Sequence, residues 1–409
     1  MKIVSAREAI RAIPDGARVV FPHDAVEPTE IYQAFAAEYQ RFTALRLYSG
    51  LQFGSYPFLQ AGLGTHFSYT TWQASPKLRP LVRDGRIEIL PLRYRDVPRM
   101  VARTGTIVPD VVVAQVSKPR HHEVSLGIAL SFYRELIDNA SLVIAEINEH
   151  MPWTRGPTRV PISAIDLAVE SSHPLGEYRF AQKSARDEQI VENVLGVIPA
   201  GAWVQFGVGA IPDAVLSRLH EIRGANVFSG IVTDGLLDCI RRSRHRVRVI
   251  TGEAGGTRPL YDFVGESAQV EFQPVSVTHS VAELAKRAPF VSVNSAIEVD
   301  LSGQINGETI DGVQVSGVGG SLDFLEGAEH SRGGASIIAL SSTTEDGTRS
   351  KIVAHLGEQT PVTIPRFCAD YIVTEYGAAR LRGKTLRERA AALMTIAHPD
   401  WRDRLTAEV

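Results

Sequence analysis

The sequence lacks the many cysteines, the excess charge and the long apolar runs that several classes of protein require. Its 409 residues contain only two cysteines, Cys239 and Cys368, which excludes a disulfide framework and predicts a reducing compartment. No apolar run approaches the length of a membrane span, and the first 21 residues lack the apolar core of a signal peptide. We therefore expect a cytoplasmic protein with no membrane partner.

Charge of neither sign dominates. There are 43 Lys and Arg residues against 46 Asp and Glu residues, a formal net charge of −3, and they are scattered along the chain. Nucleic-acid-binding surfaces concentrate positive charge, so we expect no nucleic-acid partner. His121-His122-Glu123 is the most metal-like run, but adjacent turn residues point apart and no further ligand follows, so we expect no metal ion.

Apolar runs of strand length alternate with segments of helical periodicity along the whole chain. Such alternation predicts an α/β fold with mostly parallel sheets covered on both faces. A polar stretch near residues 177–193 separates two similar halves, so we predict domains at residues 1–185 and 186–409. The predicted strands lie at residues 18–21, 45–48, 87–90, 111–116, 142–147, 204–206, 247–250, 270–274, 291–294, 336–340 and 372–374.

The stretch at residues 205–235, QFGVGAIPDAVLSRLHEIRGANVFSGIVTDG, is the most informative. A strand ending at Phe206 is followed by Gly207 and Gly209, and Pro212 suits the first turn of a helix. Backbone N–H groups at such a turn can bind a phosphate or an oxyanion. A tight turn with no ligand has the same pattern, so the motif alone leaves both interpretations open.

Long segments of the chain resemble the acetyl-CoA hydrolase/transferase family, the single-chain class I CoA-transferases typified by 4-hydroxybutyrate CoA-transferase. The resemblance is carried by FGVGAIPDAVLSRL, VNSAIEVDLSGQINGE, SGVGGSLDF, GGASIIALSST, VTEYGAARLRGKTLRERA and IAHPDWR, and less densely by VIAEINEHMPWT and ISAIDLAVESSHPL. It implies two open, mostly parallel α/β domains of the CoA-transferase (NagB/RpiA-like) type facing a central cleft. It also implies coenzyme A, as acyl-CoA, and a carboxylate acceptor as substrates, and a homodimer or higher homo-oligomer.

The chain departs from the family pattern at Gly230. In the family, the segment before Asp234-Gly235 contains a glutamate that attacks the acyl-CoA carbonyl and ends as a glutamyl-CoA thioester. Here that segment reads Phe228-Ser229-Gly230, which puts a glycine at the position of the glutamate. Glycine has no nucleophile, so the usual mechanism cannot operate at this residue.

The resemblance assigns candidate residues in the second half. Gly207 and Gly209 would offer backbone donors to a thioester oxyanion, Asn294 resembles an asparagine beside the thioester, and Glu375 resembles a glutamate near the cleft. Glu375 would act as a base or only accept backbone hydrogen bonds. The substrate-binding or CoA-binding candidates are Gly230 and the glycine-rich loop Ser316, Gly317, Val318, Gly319 and Gly320.

Glu253 stands where the family usually has an apolar residue. It would compensate for the missing carboxylate as a general base or a nucleophile, or it would be an exposed loop residue. Phe53 and Tyr69, in aromatic segments at residues 50–58 and 67–72, would line an acyl pocket or belong to a buried sheet edge. His23 and Asp24, after the first strand, would reach the site or only form a turn.

Three functions remain open. The first is a hydrolase-type or intramolecular (C–C cleaving or cyclising) reaction of an acyl-CoA thioester without a glutamyl-CoA intermediate. The second is a CoA-transferase that uses Glu253 or Glu375 as its nucleophile. The third is a non-catalytic CoA-thioester-binding protein.

Overall fold

The chain folds into two compact units. The computed structural model describes residues 1–54, 56, 58–180, 184–265 and 267–407, apart from the Gln60 side chain. The first unit comprises Met1–Arg179 and Ile250–Val277, and the second comprises Phe180–Val249 and Thr278–Val409. This division differs from the predicted contiguous halves, because residues 250–277 belong to the first unit.

Backbone hydrogen bonds explain why residues 250–277 join the first unit. The Leu130 N–H donates to the Gly252 carbonyl, and the Ala254 N–H donates to the Ile128 carbonyl. Farther along, the Phe272 N–H donates to Arg155 and the Val275 N–H to Ser131. These contacts join segments more than a hundred residues apart, which no local pattern in the sequence signals.

Residues 1–179 form alternating strands and helices. They are β1 (Lys2–Ile3), α1 (Ala6–Arg11), β2 (Arg18–Val20), α2 (Thr29–Glu38), β3 (Leu45–Ser49), α3 (Phe58–Ala61), β4 (Phe67–Thr71), α4 (Arg79–Arg83), β5 (Glu88–Ile89), α5 (Val97–Val101), β6 (Val111–Val116), β7 (Glu123–Ser125), α6 (Tyr133–Asn139), β8 (Leu142–Asn148), β9 (Arg159–Pro161) and β10 (Leu167–Ser171). Short 3-10 turns lie at Tyr39–Arg41, Tyr94–Asp96 and Ile162–Ala164.

The remainder of the chain continues the alternation. It contains α7 (Ala185–Leu195), β11 (Trp203–Phe206), α8 (Ala210–Arg218), β12 (Asn226–Val232), α9 (Gly235–Arg242), β13 (Val249–Ala254), α10 (Arg258–Val264), β14 (Val270–Phe272), α11 (Val275–Thr278), α12 (Val281–Ala285), β15 (Phe290–Ser295), β16 (Glu298–Asp300), β17 (Ile305–Asn306), β18 (Thr309–Ile310), β19 (Val313–Gln314), α13 (Ser321–His330), β20 (Ala335–Ala339), β21 (Ile352–Val353), β22 (Tyr371–Thr374), β23 (Gly377–Arg380), α14 (Leu386–Ile396) and α15 (Pro399–Ala407). A 3-10 turn lies at Leu219–Glu221.

Each unit is built on a mostly parallel sheet, which confirms the predicted α/β class. In the first unit the strand order is β1-β10-β8-β6-β2-β3-β4-β5, and every pairing is parallel. In the second unit six strands follow one another in the order β12-β11-β15-β20-β22-β23, and only β22–β23 is antiparallel. In such sheets, ligand sites form beyond the carboxyl ends of the strands.

Local sequence signals set several element boundaries. Ser5 caps α1 in a capping box with Glu8, as the sequence predicts, and Thr385 and Glu388 do the same for α14. An aromatic cluster that includes Phe21, Phe35 and Phe67 forms part of the first unit's core. Within the described ranges, no helix is both long enough and apolar enough to cross a bilayer.

Candidate active site

In the first unit, His23, Asp24 and Glu253 form a buried polar cluster. His23 and Asp24 follow the carboxyl end of β2, and Glu253 lies in β13. All three are buried, with exposed fractions of 2%, 2% and 6%. Asp24 adopts a positive φ of 61°, and its N–H donates to the Leu51 carbonyl. The alternative in which His23 and Asp24 only form a turn therefore does not describe their surroundings.

Short hydrogen bonds link the members of this cluster. His23 Nε2 forms a 2.9 Å hydrogen bond with Oε1 of Glu253, and it lies 3.3 Å from Oδ2 of Asp24, within ion-pair range but not a hydrogen bond. The Tyr94 hydroxyl donates to the same Glu253 oxygen at 2.5 Å and lies 2.6 Å from the Ser131 hydroxyl. Glu253 is thus a fixed carboxylate, and the alternative of an exposed loop residue is excluded.

Aromatic side chains hold the His23 ring in place. Phe132 stacks on the imidazole with ring centroids 4.9 Å apart, and Tyr133 stacks at 5.2 Å. The Tyr133 hydroxyl accepts the His23 backbone N–H at 2.9 Å and lies 3.2 Å from Nδ1. Both ring nitrogens therefore have defined partners, and Nε2 is aimed at the two carboxyl groups.

The two buried carboxyl groups differ in protonation. Burial and the neighbouring charge of Glu253 raise the pKa of Asp24 well above its usual value. Burial by itself also raises the pKa of Glu253. The charge interaction with His23 and the hydrogen bonds from His23, Asp24 and Tyr94 outweigh this effect of burial, and they lower the pKa of Glu253 to about 2. The pair therefore holds one proton on Asp24, and Glu253 is ionised.

Other groups in the cluster agree with this assignment. Oδ2 of Asp24 is buried without a hydrogen-bond partner in the described structure, which disfavours an ionised Asp24. Burial and the charges of Glu253 and Asp24 raise the pKa of Tyr94 well above its usual value, so its hydroxyl remains a donor. Such a neutral acid beside an ionised base is the arrangement that acid–base catalysis requires.

The same three residues are the ones in the described ranges that could hold a metal ion. One ligand atom each from His23, Asp24 and Glu253 lie within 4.8 Å of one another. These separations equally fit the hydrogen bond of His23 to Glu253 and its close contact with Asp24, so we interpret the three residues as a proton-sharing cluster. His121 and His122, the metal-like run of the sequence, are exposed at a turn between β6 and β7.

In the second unit, Gly207 and Gly209 connect β11 to α8 as predicted. The Gly207 N–H donates to the Val293 carbonyl at 2.8 Å, so this group extends the pairing of β11 with β15. It is therefore engaged in the sheet, and Gly209, the N-cap of α8 with a φ of 155°, retains the predicted turn conformation. The Gly209 N–H stays a predicted backbone donor, and the Gly207 N–H is used by the sheet.

Asn294 lies at the carboxyl end of β15, next to Gly207. Its amide exchanges two hydrogen bonds with the amide of Gln205, at 2.9 and 3.1 Å. A Cβ at position 207 would lie 2.7 Å from Oδ1 of Asn294, so glycine is required for this close approach. Asn294 is 4% exposed and rigidly oriented, and its contact with a thioester stays a prediction.

The place of a side chain at Gly230 is filled by the imidazole of His279. A Cβ at Gly230 would lie 2.8 Å from Cε1 and 3.1 Å from Nε2 of His279. Gly320, the N-cap of α13, borders the same ring from another side, with a Cβ position 2.5 Å from Nε2. A glutamate at this position of β12 would therefore collide with His279 in its present position.

The predicted CoA loop, residues 316–320, precedes α13. The Ser316 N–H donates to the Glu308 carbonyl, and Gly319 has a φ of 63° that favours glycine. Ser316, Val318, Gly319 and Gly320 are half-buried, while Gly317 is buried. CoA binding by this loop stays a prediction.

Glu375 follows β22 and is half-buried. Its carboxylate accepts the Ser342 backbone N–H at 2.9 Å and the Ser342 hydroxyl at 2.7 Å. These bonds tie the turn after β20 to the end of β22. The geometry thus favours the structural alternative left open by the sequence, in which Glu375 accepts backbone hydrogen bonds.

The two aromatic candidates have different surroundings. Tyr69 is 1% exposed within the first unit's core, and its hydroxyl donates to Gln52, which favours a packing role. Phe53 is half-buried and stacks on Tyr178 with centroids 4.4 Å apart. Ser55 and Pro57, in the same aromatic segment, lie outside the described residues.

Several residues of these sites escaped the sequence analysis. Tyr94 contacts Glu253, Tyr133 contacts His23 and Ser131 contacts Tyr94, while His279 fills the space beside Gly230. None of them shares a motif with its partner in the sequence. The Thr278-His279 pair is a local signal, because a neighbouring hydroxyl can bond an imidazole nitrogen, as it does here at 3.0 Å.

Comparison with known proteins gives consistent matches over the whole chain. Residues 1–174 match the acetyl-CoA hydrolase/transferase N-terminal domain, and residues 256–409 match the C-terminal domain. A 4-hydroxybutyrate coenzyme A transferase of Clostridium kluyveri is 36% identical over 100% of this chain and 97% of its own.

Two solved structures superpose on the whole of this chain. RipA from Yersinia pestis superposes with a TM-score of 0.93 at 30% identity, covering 100% of this chain and 96% of its own. A 4-hydroxybutyrate CoA-transferase from Porphyromonas gingivalis superposes with a TM-score of 0.83 at 32% identity, covering 100% and 97%.

Proposed function

The chain belongs to the acetyl-CoA hydrolase/transferase family, and from that premise we propose that it transforms an acyl-CoA thioester without a glutamyl-CoA intermediate. The reaction is hydrolase-type or intramolecular, with C–C cleavage or cyclisation as the intramolecular forms. The observation that carries this proposal is the Asp24–Glu253 pair. One buried carboxyl group is neutral and the other is ionised, with a histidine and a tyrosine on the ionised one.

These residues have distinct roles in the proposed reaction. Glu253 takes a proton from the attacking water or from the attacking group of the substrate, and His23 and Tyr94 keep its carboxylate oriented. Asp24 donates its proton to the carbon or heteroatom that leaves. These reactions use a base and an acid, which Glu253 and Asp24 supply in one cluster.

The site beside Gly230 supports the absence of a glutamyl-CoA intermediate. Residue 230 has no side chain, and the adjoining space holds the His279 ring. Coenzyme A is therefore proposed as part of the substrate, and the glycine-rich loop at residues 316–320 as its binding segment. The family description itself includes a hydrolase activity.

A CoA-transferase that uses Glu253 or Glu375 is the alternative, and the names of the relatives favour it. The geometry offers the Glu375 version less support, because two hydrogen bonds tie this carboxylate to Ser342. A carboxylate acceptor is a substrate only under this alternative. A protein that binds a CoA thioester without turning it over is the second alternative.

An activity screen distinguishes these functions. Purified protein is incubated with acetyl-CoA, butyryl-CoA, acetoacetyl-CoA and benzoyl-CoA, each with and without acetate, and thiol and acyl products are followed by mass spectrometry. Thiol release or a new carbon skeleton at a rate independent of acetate is the expected result. Acetate-dependent transfer supports the transferase, and binding without turnover supports the non-catalytic protein.

The same protein preparation should be tested for metal. Metal content and turnover rate should be measured before and after chelation. We expect chelation to leave the rate unchanged, because we interpret the cluster as proton-sharing. A stoichiometric metal whose removal abolishes turnover would contradict the assignment of Glu253 as base.

A further inference from the structure

Glu308 is a buried glutamate of the second unit that stands directly before the hairpin of β18 and β19. Its exposed fraction is 6%, and its backbone carbonyl accepts the N–H groups of Val315 and Ser316 at 2.8 and 3.1 Å. Ser316, the first residue of the predicted CoA loop, is thereby held against the base of the hairpin. Three of the four loop residues that follow are glycines, which leave an unbound backbone many conformations.

The carboxylate of Glu308 adds a second connection to the loop. Oε2 accepts a hydrogen bond from Nε2 of Gln314 at 3.2 Å, and the same nitrogen donates to the Ser316 carbonyl at 3.0 Å. Oε1 accepts the Thr363 hydroxyl at 2.8 Å, and the oxygen of that hydroxyl accepts the Gly307 N–H at 2.9 Å. Glu308 therefore bonds Ser316 directly and through Gln314, while Thr363 fixes Glu308 itself.

The other end of the loop is held by α13. Gly320 is the N-cap of this helix, and its carbonyl accepts the Asp323 N–H at 3.1 Å. Leu325, in the next turn, is fully buried in a hydrophobic core of the second unit. A loop that is fixed at both ends loses less conformational entropy when it binds a ligand, and this preorganisation raises the affinity.

We infer that Glu308 is a positioning residue for coenzyme A: its carbonyl and its bond to Gln314 hold the loop at residues 316–320 in the conformation that binds the coenzyme. The inference rests on the proposed function, in which this loop binds the coenzyme A portion of the thioester. Glu308 acts through the loop and needs no contact with the ligand or with the reacting atoms. Its substitution should therefore weaken binding and leave the chemical step unchanged.

Two substitutions interrupt the connection at different points. The amide of Glu308→Gln has one acceptor oxygen where the carboxylate has two, so it cannot keep the bonds to both Thr363 and Gln314 as they stand. Gln314→Met keeps the length of the side chain and removes the donor that joins Glu308 to Ser316. We expect each to raise the Kd of coenzyme A and the KM of the acyl-CoA by about three- to tenfold, as for one lost hydrogen bond, with kcat within about twofold.

Two further measurements separate positioning from a general loss of stability. Glu308→Gln and Gln314→Met interrupt the same connection, so the double variant should bind coenzyme A no more weakly than the weaker single variant. Hydrogen exchange of the unliganded proteins, well below their melting temperatures, reports on the loop itself. The amides of residues 317–320 should exchange faster in both single variants than in the unmodified protein.

Asp300→Asn is the matched control. Asp300 is a buried carboxylate of the same unit, and its Oδ2 accepts Nε2 of Gln304 at 2.8 Å, as Oε2 of Glu308 accepts Nε2 of Gln314. The amide should lower the melting temperature, because it removes an acceptor from a buried network. It should leave both the exchange of residues 317–320 and the affinity for coenzyme A unchanged.

Calorimetric titration with coenzyme A decides the inference. Unchanged affinity in Glu308→Gln and Gln314→Met, or an equal loss in Asp300→Asn, would overturn it. Weaker binding without faster exchange of the loop would also overturn it, since Glu308 would then act on the ligand directly. If Glu308→Gln does not fold, Gln314→Met tests the connection alone. If the unmodified protein binds no coenzyme A, the proposed function fails; if it binds and the variants bind equally well, only this inference fails.

Discussion

At the scale of single residues, the account depends on the charge of Glu253. Its carboxylate is ionised, and it is held by His23 and Tyr94. Glu253→Gln keeps the shape but removes the base, so kcat should fall by about 10²–10⁴ while coenzyme A binding is retained. Steady-state kinetics with the best thioester of the panel provides the measurement.

Glu271→Gln is the matched control for that variant. Glu271 is an exposed glutamate of the same unit, on β14, and its change should leave kcat within about twofold of the unmodified rate, as expected of a surface site. Equal losses in both variants would show that the effect of Glu253→Gln is not specific to the cluster.

Asp24 gives a prediction for stability against pH. The pKa of Asp24 in the folded protein is raised above the ordinary value of 3.8. The stabilisation that protonated Asp24 gives to the folded state is therefore fully present below pH 3.8, and it is lost as the pH rises through the raised pKa. The amide introduced by Asp24→Asn would not ionise. The melting temperature of Asp24→Asn minus that of the unmodified protein should therefore increase steadily from pH 4 to pH 8.

The control is Asp84→Asn, at an exposed aspartate of the first unit. Its difference in melting temperature, measured over the same pH range, is the baseline for an exposed carboxylate. A flat difference for Asp24→Asn would mean that Asp24 is ionised in the folded protein, and the assignment of acid and base would be lost.

At the scale of elements, the end of β12, the start of α13 and the His279 ring form one packed unit. Gly230→Ala places a methyl group against the ring, which Thr278 and Phe324 hold, so we expect a loss of about 1–3 kcal/mol in unfolding free energy. In the double variant with His279→Ala the loss should be smaller than the sum of the single losses.

Gly196→Ala is the reference substitution for the single and double variants at Gly230 and His279. Gly196 has ordinary helical dihedrals at the end of α7, and its added Cβ would meet no atom closer than 3.6 Å. Alanine there should be neutral or slightly stabilising. Additive losses at Gly230 and His279 in urea unfolding would contradict the packing described here.

The elements also show what the sequence can and cannot reveal. The apolar run at β6 and the capping box at α1 depend on neighbouring residues, and both lie where they were predicted. The contact between His279 and Gly230 joins residues of different elements, and so does the contact between Tyr94 and Glu253. Such contacts depend on how elements pack, which periodicity does not contain.

At the scale of the molecule, residues 250–277 complete the first unit. A chain of residues 1–179 lacks the backbone partners of Ile128, Leu130 and Ser131, so buried polar groups of these three residues would be unpaired. It should unfold without a cooperative transition. Joining 1–179 to 250–277 through a Gly/Ser linker should restore cooperativity in thermal unfolding followed by circular dichroism.

A cooperative transition of residues 1–179 alone would show that the first unit is complete without the later segment. Periodicity predicts strands in this segment but not the distant backbone groups that the segment bonds. Only the hydrogen bonds of Gly252, Phe272 and Val275 reveal the assignment.

The measurement that tests the central claim most directly is the intact mass of the protein during turnover. Protein mixed with its best acyl-CoA is quenched within a single turnover and analysed for a covalent coenzyme A adduct. The account predicts an unchanged protein mass while thiol or rearranged product accumulates. A protein heavier by coenzyme A, with the adduct on Glu253 or Glu375, would contradict it and establish the transferase route.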